Sequence, residues 1–236
     1  MISRWLIFSS LLIAATAPAA TVSGKVELRD SRLDDVKKHG NYSGVVISLL
    51  PAGTPANSIS QRHFRMLQRD KTFSPHILAI QAGSIVDFPN DDPIFHSAFS
   101  SYNGQIFDVG LYPPGETRSV RFSRPGVVRV FCNIHPAMSA VIVVLTTPYF
   151  ATTGKDGSFR IDAPPGEYEL HVFHERATEA TLNSLARRIV VAEGSQELPP
   201  IVISEAGYVA GPHKNKFGKD YPPDSGRDAV YPGARK

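Results

Sequence analysis

Turn-forming residues recur along this chain at intervals too short to leave room for long helices. The 236 residues include 19 prolines and 18 glycines. Many stand in clusters: Pro89-Asn90-Asp91-Asp92-Pro93, Pro113-Pro114-Gly115, Pro125-Gly126, Asp156-Gly157 and Pro164-Pro165-Gly166. Such clusters bend the backbone because proline presets φ and glycine tolerates positive φ. Between them lie short runs that alternate apolar with polar residues or are apolar throughout. Residues 45–50, 77–80, 85–88, 117–122, 127–131 and 140–145 are of this kind. Further on, 158–161, 167–173, 189–191 and 201–203 repeat the pattern. Many short strands separated by turns predict an all-β fold, a sandwich or a barrel. Residues 30–41 and 51–60 read as polar loops. One stretch, 179–188, has helical capacity, and no long amphipathic helix is present to build an α/β fold.

Residues 1–19 carry a separate message. Arg4 precedes an apolar run, and Ala17-Pro18-Ala19 offers a small-residue cleavage site, the pattern of a secretory signal peptide. The run is short for a membrane span. The expected product is exported to the periplasm and carries no integral membrane segment after signal removal. With 25 basic against 22 acidic residues, charge is too balanced to argue for a nucleic-acid partner.

Export sharpens the meaning of the single cysteine. Cys132 has no partner within the chain, and an exposed exported thiol oxidises unless it is buried, cross-linked to another chain or bound to metal. Its neighbours are Phe131-Cys132-Asn133-Ile134-His135-Pro136-Ala137-Met138. A thiolate, an imidazole and a thioether stand three residues apart, all ligands for soft transition metals. A strand enters at Cys132 and Pro136 opposes a continuing strand, so the three share a tight loop. His96, in Phe95-His96-Ser97, is the upstream candidate to complete the set. Two His and one Cys with a distant Met make a blue-copper arrangement. Zinc favours more Cys and His without a thioether, and a thiol nucleophile with a His base would leave Met138 without a role.

These residues resemble the copper loop of the cupredoxins. The Cys-x-x-His-x-x-Met spacing is similar to that of amicyanins, and residues 88–96 resemble the region of the first ligand. The resemblance implies His96, Cys132 and His135 as equatorial ligands, Met138 as the axial one, and one type 1 copper ion. It implies a Greek-key sandwich that carries single electrons to a redox partner and is not itself an enzyme. The alternative is a copper-binding, delivery or sensing protein that meets a copper-handling partner. Ser97 departs from the Asn that many cupredoxins place after the first His ligand, so the bracing of the cysteine loop must differ, or Asn90 takes it over. The N-terminal extension, with Gln68 and Pro75-His76, resembles periplasmic plastocyanin-like proteins labelled methylamine utilization proteins, a label that does not show that this chain handles methylamine.

Residues 151–170 resemble a carboxypeptidase regulatory-like or transthyretin-like module, a small Ig-like β-sandwich. The serial division expected is a signal peptide over 1–19, a cupredoxin-like domain over 20–147, the small sandwich over 148–206 and a flexible tail over 207–236. Residues 22–26 and 44–50 also resemble the start of the small module, which would make the copper block an insertion; the serial division is the simpler reading. Of the remaining histidines, His76 is a candidate for the surroundings of the metal or a further ligand, and His171 and His174 for a second site or an interface pair. His39, His63 and His213 read as solvated.

Overall fold

The computed structural model describes residues 20–53, 60–101, 104–209, 211 and 213–222. The expected signal peptide and residues 223–236 of the tail lie outside them. Strands dominate, as the turn spacing predicts. In chain order they are β1 (Ala20–Arg29), β2 (Val46–Pro51), β3 (His63–Arg65), β4 (Leu67–Arg69), β5 (Thr72–Ser74) and β6 (Ile77–Gln81). There follow β7 (Ile85–Pro89), β8 (His96–Ser100), β9 (Phe107–Tyr112), β10 (Thr117–Arg121), β11 (Gly126–Phe131) and β12 (Ser139–Leu145). The last are β13 (Phe150–Thr152), β14 (Ser158–Ala163), β15 (Gly166–Phe173), β16 (Arg187–Val191), β17 (Ser195–Glu197) and β18 (Ile201–Ser204). Two short helices, α1 (Asp34–His39) and α2 (Glu179–Leu185), interrupt them. The first falls where a loop was expected: Val36 is buried and Gly40, at φ 59°, ends the turn in the left-handed region.

The strands form two cores. One sheet runs β6-β12-β11-β8-β9 and faces the short sheet β10-β7-β3. Between them lie Met66, Ile80, Phe88, Tyr112, Phe122, Val130, Cys132, Met138 and Ile142. The other core joins β14-β1-β17, with β18 also on β1, to β13-β2-β15-β16. Val22, Val26, Ile47, Leu49, Phe159, Ile161, Tyr168 and Leu170 fill it.

The pairing of β1 and β2 differs from the serial division at 147/148. β1 pairs antiparallel with β14, Ala20 opposite Ala163 and Lys25 opposite Ser158. β2 pairs with β13 and β15. The alternation of β1 explains its partner: Ala20, Val22, Val26 and Leu28 are buried on one face, where Phe159 and Ile161 meet them. Gly24 holds the remaining place on that face because a Cβ would come within 2.8 Å of the Phe159 ring. Residues 63–145, which carry the Cys-x-x-His-x-x-Met motif, thus leave and return to a sandwich built from strands on both sides of them.

β12 seams the two cores. Ala140, Ile142 and Val144 face the first core. Val141 and Val143 face Val46, with Phe150 and Phe173 packed beside them. Burial on both faces is the reason the strand reads as an almost unbroken apolar run. The Asp156-Gly157 turn does not make a hairpin: β13 and β14 lie in different sheets. Gly157, at φ 75°, instead crosses between them, and a Cβ there would lie 2.1 Å from the Val26 carbonyl oxygen.

Candidate metal centre

Cys132 follows the end of β11, and Ser139 opens β12 directly opposite Phe131. The loop between is pinched shut by its own backbone. The Cys132 N–H donates to the Met138 carbonyl at 3.1 Å, and the Met138 N–H to the His135 carbonyl at 3.0 Å. Pro136 prevents the ladder from continuing and directs the chain into this turn. His96 opens β8, which bonds to β11 through the pair Phe131 and Phe99. Adjacent strands thus deliver residues 36 and 39 positions apart to one point.

There the donor atoms meet. Cys132 Sγ lies 3.5 Å from His135 Nδ1 and 3.8 Å from His96 Nδ1. The two Nδ1 atoms are 3.1 Å apart. A point about 2 Å from all three satisfies these separations, the length of a transition metal–nitrogen bond. Cys132 and His96 are buried and His135 is half-buried. Among the described residues this is the group of His, Cys and acidic side chains fit to hold a metal ion. Met138 is buried in the same core as Cys132.

Asp92 sets the His96 ring. Its Oδ2 lies 2.6 Å from His96 Nε2, both residues buried. A carboxylate accepts from Nε2–H and turns Nδ1 toward the thiol, the arrangement of a metal-binding imidazole. The carboxylate is itself held by main-chain N–H groups, from Asp70 at 2.7 Å and Lys71 at 2.9 Å. Both donors take positive φ, 53° each, to present those groups. Burial pushes the Asp92 carboxyl up, but the N–H bonds and His96 outweigh it and hold the group below its ordinary value. Burial likewise pushes the Cys132 thiol up. His135 and His96, with the main-chain N–H groups of Ile134 and Ser97, bring it down to about 5, so the metal-free site holds a thiolate at neutral pH.

Ser97 braces the loop in place of an asparagine. Its hydroxyl accepts from the Asn133 N–H at 2.8 Å and lies 3.7 Å from Cys132 Sγ. Asn90 serves the other side: its amide donates to the Ile94 carbonyl at 2.8 Å and its oxygen accepts from the Asp92 N–H at 3.1 Å.

No family model matches the chain. A curated relative, amicyanin-alpha of Methylorubrum extorquens, is 28% identical over 144 residues, covering 60% of this chain and 98% of its own. The segment with the converging thiolate and imidazoles has a cupredoxin fold. Solved structures that align with this chain include a purple cupredoxin from Nitrosopumilus maritimus, at 23% identity and TM-score 0.32, covering 36% of this chain and all of that one. A reduced amicyanin variant aligns at 16% identity and TM-score 0.34, covering 43% and 99%. A copper-containing nitrite reductase from Thermus scotoductus aligns at 24% identity and TM-score 0.35, covering 40% of this chain and 25% of its own.

The chain's other histidines take structural partners. His76 lies 3.0 Å from the Ser139 carbonyl and 2.9 Å from Glu175, bridging the two cores. His174 pairs with Glu205 at 2.8 Å, and His171 with Glu169 at 3.4 Å. His63 pairs with Asp87 at 3.0 Å and His39 with Asp35 at 3.3 Å. His213 is not solvated as expected: it stacks on Phe131, ring centroids 4.0 Å apart. Sequence reasoning took Asp92 as a turn residue only. The signal available was a carboxylate four positions before the first histidine, after a turn cluster.

Proposed function

We propose that this chain is an exported copper protein that carries single electrons, with His96, Cys132 and His135 as equatorial ligands and Met138 as the axial one. The observation that carries the proposal is the convergence of a thiolate and two Nδ1 atoms on one point, with His96 oriented by a buried carboxylate. Copper bound there would supply a Cu(II)/Cu(I) couple, for which a soft thiolate with two imidazoles suits both states. The chain's own residues do the rest. Asp92 and Ser97 hold His96 and the cysteine loop from two sides, so little needs to move when an electron arrives or leaves. Phe99 and Phe131, nearly fully buried with ring centroids 5.9 Å apart, back the loop with apolar surface. His135 stands among the exposed residues Ile134, Pro136 and Ala137, an apolar rim through which a redox partner would reach its ring edge. The chain is proposed to turn over no substrate of its own. Periplasmic placement rests on the signal-like residues 1–19 and on the amicyanin relative; among the described residues no helix is long and apolar enough to cross a membrane.

The test is titration of the metal-free protein with copper(II). An intense band near ~600 nm at one equivalent is the signature of a thiolate–copper(II) bond in a trigonal site. A colourless 1:1 complex overturns the assignment. Reversible voltammetry at constant copper content supports the carrier, whereas rapid loss of copper to a chelator or partner favours delivery.

A further inference from the structure

The segment 213–221 lies across the outside of the metal loop, binding it at three points and β11 at a fourth. The Tyr221 hydroxyl donates to the Cys132 carbonyl at 2.8 Å. His213 Nε2 donates to the Pro136 carbonyl at 2.7 Å. The Lys216 N–H donates to the Asn133 side-chain oxygen at 3.0 Å. The His213 ring stacks on Phe131, tilted by 22°. An ion pair of Lys216 with Asp108, 2.8 Å, ties the segment to β9 as well.

The segment is a compact turn in its own right. The Asn215 N–H donates to the Lys219 carbonyl and the Gly218 N–H to the Asn215 carbonyl, each at 2.9 Å. The Asn215 side-chain oxygen accepts from Phe217 at 2.9 Å and Lys219 at 3.1 Å. Tyr221 meets the His213 ring edge-on, centroids 5.2 Å apart. Both ends of the segment therefore converge on the loop as one unit.

The geometry points to a clamp: we propose that residues 213–221 position the metal loop from outside, with Tyr221 and His213 as its positioning residues. The inference rests on the copper reading only for its consequence. Inside the site, Ser97 and the Cys132–Met138 backbone pair fix the loop at its base. The carbonyls of Cys132 and Pro136 and the Asn133 side chain point the other way, and the segment engages all three. A loop gripped on both sides cannot swing His135 away from Cys132 without breaking the outer contacts. The clamp thereby slows metal loss and limits rearrangement between oxidation states, favouring a carrier over a delivery protein.

The test compares the full chain with Tyr221→Phe, His213→Ala and the double variant. In the metal-free proteins, amide exchange is followed by mass spectrometry over residues 133–138 and, as control, over β11 and β12. Each outer hydrogen bond is worth about a tenfold change in local opening, so loop exchange should quicken about tenfold in each single variant while the strands stay protected. Unchanged loop exchange in the double variant overturns the clamp. Tyr221→Phe keeps the ring and removes only the hydroxyl, so a segment that merely covers the loop would leave that variant at the wild-type rate. In the copper-loaded proteins, transfer of copper(I) to a chelator should quicken several-fold and the reduction potential should move; wild-type values of both overturn the consequence. Absence of copper binding by the wild-type protein would defeat the copper reading and leave the exchange result standing.

Discussion

Replacing Asp92 by Asn probes how His96 is held. In the native site Asp92 Oδ2 accepts from His96 at 2.6 Å and from Lys71 at 2.9 Å, while Oδ1 accepts from Asp70 at 2.7 Å. An amide can keep its oxygen at only one of these positions. With that oxygen on the His96 side, its NH2 group faces the Asp70 N–H, and a buried donor loses its acceptor. The charge that strengthened the other two bonds is also gone. Hydrogen bonds to charged groups contribute about 1.5–3 kcal/mol each, so losing one and weakening two should destabilise the metal-free protein by about 2–4 kcal/mol. Loss of the carboxylate also releases the choice of His96 tautomer, and removing such a partner lowers metal affinity by about 10–100-fold. Urea unfolding of the metal-free variant at pH 7 and a competitive copper titration measure the two effects. A variant within about 0.5 kcal/mol of the parent, with unchanged affinity, would refute the role given to Asp92.

Cys132→Ala should abolish the visible band while the protein still unfolds cooperatively, because only a small buried side chain is lost; a retained band would refute thiolate ligation. In the metal-free protein, thiolate absorbance should appear as pH rises through about 5, since His135 and His96 favour the ionised sulfur against burial; titration near the ordinary thiol value would contradict this. The Glu175 hydrogen bond raises the His76 pKa against burial. The stability from this pair is therefore fully present below the unfolded histidine value, 6.5, and is lost as pH rises through the raised folded value. His76 is half-exposed, so the contribution should be under about 1 kcal/mol, and His76→Gln should remove that part of the pH dependence in urea midpoints. Gly157→Ala should destabilise by more than about 1 kcal/mol, because φ is 75° and its Cβ would overlap the Val26 carbonyl; a neutral result would mean that the crossing between the sheets is not as described.

The site was legible where its information is local. Cys132, His135 and Met138 share one loop, and the strand before it and Pro136 after it imply the turn that the structure contains. His96 could be named only as an upstream candidate, with its equatorial role implied by resemblance, since nothing local in residues 95–97 says which loop lies beside them. Asp92 was hidden because a turn cluster explains an aspartate without further need. Tyr221 and His213 gave no signal: they act 89 and 77 residues from their partners in the loop, and a polar segment rich in lysine reads as solvated until the surface it meets is known. The pairing of β1 and β2 with the later strands was open only as the alternative to the serial division, for a similar reason. Their alternation says that one face is buried and is silent on what buries it.

The sequence by itself determined the class of fold, through turn clusters spaced for short strands, and the donor chemistry of the candidate centre, through a thiol, an imidazole and a thioether on one loop. Both follow from periodicity and composition over a few residues, which set backbone geometry and side-chain softness directly. Tertiary structure decided which strands share a sheet, which carboxylate orients His96 and what grips the loop from outside. Each of these is a choice among partners distant in the chain, made by which apolar faces can be buried together and which buried polar groups must be satisfied.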